Sequence, residues 1–135
     1  ELTRRGDYAI RSVIALARIA DGTRLSVRQL ADAEGIPVRF LPQVMADLGR
    51  AGLVEAVAGR TGGYRLARPA REMTLLDVIE AVEGSSRRHT CVLRGGACGV
   101  DGACAVHSVF SDAQDDLLAR IARATVASVA DHPAQ

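Results

Sequence analysis

The sequence predicts a mainly α-helical protein with one short β-hairpin near its middle. Three observations predict this fold class. Apolar residues recur at helical spacing before residue 51 and after residue 73, a Gly-rich turn separates two short alternating segments at residues 53–66, and a long amphipathic run follows residue 104. The 135 residues, 48% of them hydrophobic, suffice for one compact domain with an added helix for association.

Composition limits the compartment and the class of partner. The chain has no apolar run of transmembrane length and its first residues are charged, so we expect a soluble cytoplasmic protein without membrane contact. Residues 1–71 hold 12 arginines against seven acidic residues, whereas residues 72–135 hold five against nine. The basic N-terminal half is therefore the candidate for binding a polyanion.

Three helices are predicted in the first 51 residues. Asp7–Ala20 has a wide apolar stripe, which indicates a buried helix that stops at Gly22. Ser26 can cap a short helix, Val27–Glu34, and Gly35 supplies the turn into a longer helix from about Val38 to Ala51. Two short helices joined by a Gly-containing turn are typical of a helix-turn-helix.

The longer helix is the candidate for reading DNA. Its core positions are Phe40, Leu41, Val44, Met45 and Leu48, which leaves Arg39, Gln43, Asp47 and Arg50 on its other surfaces. We expect Arg39 and Gln43 to face base edges, because Arg pairs well with guanine and Gln with adenine, and we add Arg28 and Arg50 as further DNA contacts. An ordinary exposed helix face is the alternative. Pro42 costs little only if it lies within the first helical turn.

A β-hairpin is predicted after this helix. Leu53–Val57 alternates like a strand, Gly59–Gly63 forms the turn, and Tyr64–Leu66 returns. A hairpin that follows a helix-turn-helix is a wing, and glycines beside Arg60 would allow its guanidinium to approach a sugar-phosphate backbone. Thr61 and Arg65 are further candidate DNA contacts. The alternative is a plain hairpin with an exposed arginine.

Two more helices are predicted towards the C-terminus. Thr74 and Asp77 resemble a capping box for a helix that Gly84 ends, and Ala105 to about Ala124 forms the longest periodic run. Such a long helix predicts a two-fold homodimer suited to a palindromic operator in double-stranded DNA. The predicted domains are a winged helix-turn-helix over 1–84, a cysteine loop over 85–104, and a dimerisation helix with a tail over 105–135.

All three cysteines lie in one glycine-rich segment. Cys91, Cys98 and Cys104 follow C-x6-C-x5-C, and thiolates are the preferred ligands of iron–sulfur clusters. A closed zinc site with His107 is an alternative, although zinc modules usually use closely spaced cysteine pairs, and a disulfide-forming thiol switch is another. Nucleotide-binding and catalytic motifs are lacking, so we do not expect an enzyme.

The chain resembles the Rrf-type transcription regulators, the family of IscR, NsrR and RirA. The resemblance is carried by LTRRGDYAIRSVIALA, GIPVRFLPQVMADLGRAGLVEAVAGRTGGYRLARP and MTLLDVIEAVEG, followed by the three cysteines. It implies a homodimeric winged-helix protein that binds promoter DNA, more often as a repressor than as an activator. It also implies an iron–sulfur cluster that responds to nitric oxide, redox state or iron supply.

The resemblance leaves two candidates for a fourth cluster ligand. His107 lies one helical turn after Cys104 and matches the histidine of IscR-type 2Fe-2S proteins. Asp7 matches the acid that reaches a 4Fe-4S cluster from the partner subunit in NsrR-like proteins. Both cluster types therefore remain open.

Overall fold

A computed structural model describes residues 3–60, 62–84 and 107–132 of the chain, which form a winged helix-turn-helix with further helices. Its helices are α1 (Arg4–Arg18), α2 (Val27–Glu34), α3 (Leu41–Arg50), α4 (Leu75–Glu83), α5 (His107–Arg123) and α6 (Val126–Ala130). Its strands are β1 (Val54–Val57) and β2 (Gly63–Leu66), and short 3-10 helices cover Val38–Phe40 and Ala70–Glu72. The predicted fold class is confirmed.

Helix α1 is the central helix of the domain. It begins three residues before the predicted start, because the hydroxyl of Thr3 accepts a hydrogen bond from the Gly6 amide at 3.1 Å and caps the helix. It ends at Arg18, and Ile19 is already extended. The helix packs against α2, α3, α4 and α6, so its apolar stripe contributes to most of the core.

Caps and turns delimit the helix-turn-helix. Ser26 and Gln29 form a reciprocal capping box at the start of α2, and Gly35 ends the helix with a positive φ of 64°. The predicted single helix from Val38 to Ala51 is wrong at its start: a 3-10 turn precedes α3, which places Pro42 at its second position. Proline has no amide hydrogen to donate to a preceding carbonyl, and this position requires none.

The wing is an antiparallel hairpin joined to the segment before α2. Its register pairs Val54 with Leu66 and Val57 with Gly63. On the other edge of β2, Tyr64 exchanges two backbone hydrogen bonds with Leu25, whose neighbour Ser26 caps α2. The start of α2 and the wing therefore share one small hydrogen-bonded sheet.

The chain returns to the core after α5. Thr125 caps α6, which the sequence did not lead us to expect, and Val126 is fully buried. The amide of Val126 donates to the carbonyl of Met73 at 2.7 Å, and the amide of Leu75 donates to the carbonyl of Ala124 at 2.9 Å. Arg18 of α1 donates to the carbonyls of Ala130 and His132. Residues far apart in sequence thus complete the same core.

The core consists mainly of aliphatic side chains from these elements. Its largest apolar side chains, each less than 2% exposed, are Val13, Leu30, Leu41, Val44, Met45, Leu48, Leu53, Met73, Val78 and Val126. Burying each one stabilises the fold by about 1.5–3 kcal/mol before the entropy of folding is subtracted.

Helix α5 differs from the others in its exposure. Val109, Phe110 and Leu117 are 65%, 39% and 59% exposed, and their spacing places them on one side of the helix. The sequence-based expectation of a long helix is confirmed for 107–123. Within the described residues, no helix combines the length and apolar character needed to cross a bilayer.

Candidate nucleic-acid interface

A basic depression lies between the start of α2 and the tip of the wing. It is lined by Arg24, Arg28 and Arg60, and the acid Asp32 also borders it. Ser26 and Gly62 bring the N-terminus of α2 and the wing to its wall. The N-terminus of α2 carries a partial positive charge, which together with the arginines favours a phosphate.

The structure places the predicted wing contacts in different surroundings. Arg60 is exposed at the tip, whereas Arg65 lies opposite Glu55 on β1 and donates to its carboxylate at 2.5 Å. Both members of this pair are about half exposed, so solvent weakens their attraction. Thr61 lies outside the described residues.

Arg39 lies apart from the face of α3. It belongs to the 3-10 turn, and its guanidinium carbon is 4.8 Å from the centroid of the Phe40 ring. Phe40 in turn packs against the ring of Tyr8 with centroids 5.7 Å apart, which anchors this turn to α1. Arg39 remains exposed, but its backbone does not continue the face that carries Gln43.

Asp47 is buried and does not lie on an outer surface as the helical spacing predicted. Its side chain is only 7% exposed, and its carboxylate accepts hydrogen bonds from Arg5, Arg50 and Gln43. The Gln43 bond, from Nε2 to Oδ1, measures 3.1 Å. A buried carboxylate without partners costs several kcal/mol, so these donors explain why an acid is tolerated here.

This cluster, Arg5–Gln43–Asp47–Arg50, joins α1 to the polar face of α3. The guanidinium-bearing side chains of Arg5 and Arg50 remain 51% and 68% exposed. Two cations around one carboxylate leave a surplus of positive charge at the surface. Sequence reasoning missed Arg5 and the role of Asp47, because helix periodicity assigns a face but does not show which neighbouring helix covers it.

The proposed metal ligands are only partly described. Cys91, Cys98 and Cys104 lie outside the described residues, and so does the side chain of His107, whose backbone begins α5. Asp7 lies on α1, is about half exposed, and accepts a hydrogen bond from Arg11 at 2.7 Å through Oδ2. Among the residues that the structure describes, no cluster of three His, Cys, Asp or Glu side chains could hold a metal.

Comparisons with known proteins agree with the geometry. The profile of the Rrf2 family, described as an iron-dependent transcriptional regulator, matches residues 2–132. An HTH-type transcriptional regulator of Mycobacterium tuberculosis strain H37Rv is 39% identical over 83 residues, which cover 62% of this chain and 52% of that protein. The HTH-type regulator IscR of Escherichia coli O139:H28 is 31% identical over 116 residues, covering 86% and 71%.

A solved structure shares the fold across nearly the whole chain. CymR of Bacillus subtilis, the global cysteine regulator of that organism, aligns with a TM-score of 0.82 and 21% identity over 99% of this chain and 98% of its own. At this identity the likeness concerns the fold alone. The segment that matches the Mycobacterium tuberculosis regulator spans about half the length of that protein.

Proposed function

Because the chain belongs to the Rrf2 family of DNA-binding transcriptional regulators, we propose that it binds a palindromic operator as a homodimer under the control of an iron–sulfur cluster. The observation that carries the DNA-binding part is the basic depression between α2 and the wing tip. Arg28 and Arg60 line one concave surface although they lie on separate elements. Convergent arginines at a helix N-terminus are suited to the phosphates of a duplex backbone.

Base recognition is assigned to α3. Gln43 is exposed near its N-terminal end, which is the part of a recognition helix that meets base edges. A glutamine amide pairs with adenine through N6 and N7, and an arginine such as Arg39 pairs with guanine through O6 and N7. Arg50 and Arg65 are each paired with an acid, and we assign them to the sugar-phosphate backbone of the DNA, to which they contribute positive charge.

The homodimer is supported by the exposed apolar side of α5. Val109, Phe110 and Leu117 would remain in water in a monomer, and pairing with a second α5 would remove them from it. A two-fold axis through α5 presents two copies of α3 to two half-sites, which is the arrangement that a palindromic operator requires. A promoter-binding regulator acts where the chromosome lies, so the proposal includes a cytoplasmic location.

The iron–sulfur part of the proposal rests on the donor set. Three thiolates within 14 residues fit the chemistry of an iron–sulfur cluster, with Cys91, Cys98 and Cys104 as its ligands. Asp7 fits as a fourth ligand from the partner subunit, since within the described residues only one of its carboxylate oxygens is engaged, and His107 fits from the same chain. When bound, a cluster would supply a centre sensitive to oxidation, nitric oxide or loss of iron.

The chain itself connects this segment to the proposed dimer interface. Residues 84–107 join the end of α4 to the first residue of α5. Any change in how the cysteine thiolates are bound therefore acts on the start of α5 and, through the dimer, on the spacing of the two copies of α3. A coupling of about 1–3 kcal/mol, common in allosteric proteins, corresponds to roughly a 5- to 150-fold change in operator affinity.

Two measurements test the proposal. Protein purified without oxygen is expected to be coloured and to contain iron and sulfide, and replacing all three cysteines by serine should abolish both. Zinc in place of iron would indicate the alternative zinc site. A colourless protein with a reversible disulfide would indicate the alternative thiol switch. Operator binding is then compared between cluster-loaded and cluster-free protein at one salt concentration, and equal affinities would refute control by the cluster.

A further inference from the structure

The buried carboxylate of Asp47 lies beneath the side chain proposed to read a base. We infer that Asp47 is a positioning residue for DNA recognition, which holds the Gln43 amide in the orientation that accepts adenine. This inference rests on the proposed DNA-binding function. Its observations are the 7% exposure of the Asp47 side chain and the 3.1 Å hydrogen bond from Gln43 Nε2 to Asp47 Oδ1.

The chemistry of the two groups determines the amide orientation. An ionised carboxylate only accepts hydrogen bonds, so the amide nitrogen of Gln43 must face Asp47 and the carbonyl oxygen must face away. One N–H and the carbonyl oxygen of Gln43 remain for another partner. Adenine requires this combination, because its N7 accepts a hydrogen bond and its N6 amino group donates one. Without Asp47 the terminal torsion of glutamine is broad, and both amide orientations become accessible.

The rest of the cluster keeps the carboxylate in place. Arg5 on α1 contacts Oδ2, and Arg50 on α3 contacts Oδ1 together with Gln43. Asp47 is therefore held from two helices, and its position does not depend on Gln43 alone. Charged hydrogen bonds to a carboxylate are stronger and geometrically narrower than neutral ones, which suits a positioning role.

Net charge and side-chain positioning predict changes in different quantities for one substitution. Asp47→Asn removes a negative charge from a surface proposed to bind phosphates, so electrostatics alone predicts tighter binding to every duplex. Positioning predicts weaker discrimination between sequences, since asparagine can present its own N–H to Gln43 and no longer imposes one orientation. A loss of preference between duplexes, as distinct from a uniform gain in affinity, separates a positioning residue from a charge that merely lies near DNA.

The experiment begins with a randomised duplex pool, from which the full chain selects its preferred sequence. Each A·T pair of the selected duplex is then replaced by G·C, and affinities are measured for the unaltered protein, Asp47→Asn and Glu72→Gln. Glu72 is an exposed acid on a 3-10 turn, outside both the Asp47 cluster and the basic depression, so Glu72→Gln changes the net charge equally. At one A·T position, Asp47→Asn is expected to lose a roughly 5- to 150-fold preference, while Glu72→Gln keeps it.

A double-mutant cycle shows whether the effect passes through Gln43. In a Gln43→Ala background, Asp47→Asn should no longer change the preference at that position, because the amide that it orients is gone. Circular dichroism checks that each variant is folded. If Asp47→Asn is unfolded, Asp47→Glu replaces it, since the added methylene displaces the carboxylate while keeping its charge, and the same loss of preference is expected.

The outcomes separate the two proposals. Failure of the unaltered protein to enrich any sequence would refute sequence-specific DNA binding itself. Enrichment by the unaltered protein, with the same preference at every position for folded Asp47→Asn, would refute the positioning role and leave DNA binding intact. The inference would also be overturned if Asp47→Asn reduced the preference equally in the unaltered protein and in the Gln43→Ala background.

Discussion

Leu25 and Tyr64 exchange two backbone hydrogen bonds, with the Leu25 amide 3.0 Å from the Tyr64 carbonyl and the Tyr64 amide 2.7 Å from the Leu25 carbonyl. This pair fixes the returning strand of the wing to the residue that precedes the N-cap of α2. The distance between the wing tip and the start of the helix-turn-helix therefore depends on a backbone contact, which substitution of either side chain leaves largely intact.

Gly63→Ala is expected to disturb this contact. A Cβ at Gly63 would lie 2.6 Å from the carbonyl oxygen of Leu25, and the next nearest atoms are also backbone, of Leu25 and Ser26, so there is little room to relax. We expect a loss of about 1–3 kcal/mol in the free energy of unfolding, measured by chemical denaturation, together with weaker DNA binding. Gly49→Ala is the control, because its Cβ would meet its nearest atom at 3.8 Å and alanine favours a helix. Unchanged stability in Gly63→Ala would contradict the close approach.

Arg28→Ala and Arg60→Ala are expected to weaken DNA binding equally for all sequences. Both residues line the basic depression and are proposed to contact phosphates. Each substitution should lower the slope of log affinity against log salt concentration by about 1, as a lost phosphate contact does. Arg71→Ala serves as the control, since Arg71 is exposed on a 3-10 turn outside the depression. A change in sequence preference, with the salt slope unaltered, would contradict the assignment to the backbone.

Leu117→Glu is expected to convert the proposed homodimer into a monomer. Leu117 is 59% exposed on the apolar side of α5, so a charge there would be buried only if two copies paired. The monomer itself should remain as stable as before, because the replaced side chain already faces solvent. Sedimentation velocity measures the mass, with Asp116→Glu as an adjacent control. A Leu117→Glu variant that stays dimeric would place the interface elsewhere.

Val126→Ala is expected to destabilise the whole winged domain. Val126 is fully buried and its amide bonds to Met73, so truncation creates a cavity at the junction of α6 with the core. We expect a loss of about 1–3 kcal/mol by thermal or chemical unfolding. Val129→Ala, at a half-buried position of the same helix, should cost less. A loss for Val126→Ala that is no larger than the loss for Val129→Ala would contradict the full burial of Val126.

Asp7→Ala and His107→Ala distinguish the two candidate fourth ligands. The ion pair of Asp7 with Arg11 is partly exposed, so solvent weakens it to about 0–1 kcal/mol, and Asp7→Ala should remain folded. In anaerobically purified protein, we expect one of the two variants to alter the visible spectrum while the other retains it. If neither variant alters the visible spectrum, the fourth ligand is a different residue, and replacement of other acids would identify it.

The sequence predicted those elements that local signals specify. Ser26, Gly35, Thr74 and Gly84 marked helix ends correctly, because capping and positive φ are properties of a few neighbouring residues. Pro42 fitted poorly in the predicted helix from Val38, and the 3-10 turn that the sequence did not predict moves the start of α3 so that Pro42 lies in its first turn.

Features that depend on distant packing were not predictable. Asp47 has the spacing of a surface residue, and its burial depends on Arg5 from another helix together with Arg50 and Gln43. Helix α6 has five residues, too few for a periodic pattern, and its place depends on Met73 and α1. The predicted assignment of the cysteines to a cluster stays a prediction, since they lie outside the described residues.

The pairing of Met73 with Val126 has a consequence for biosynthesis. These residues are 53 positions apart, yet both belong to the core that supports the helix-turn-helix. A ribosome must therefore release the segment after α5 before this core can close, even though all the proposed DNA contacts have already emerged. Nascent chains that stall within α5 would expose an apolar cleft where Val126 belongs, and a chaperone that binds apolar segments would recognise them.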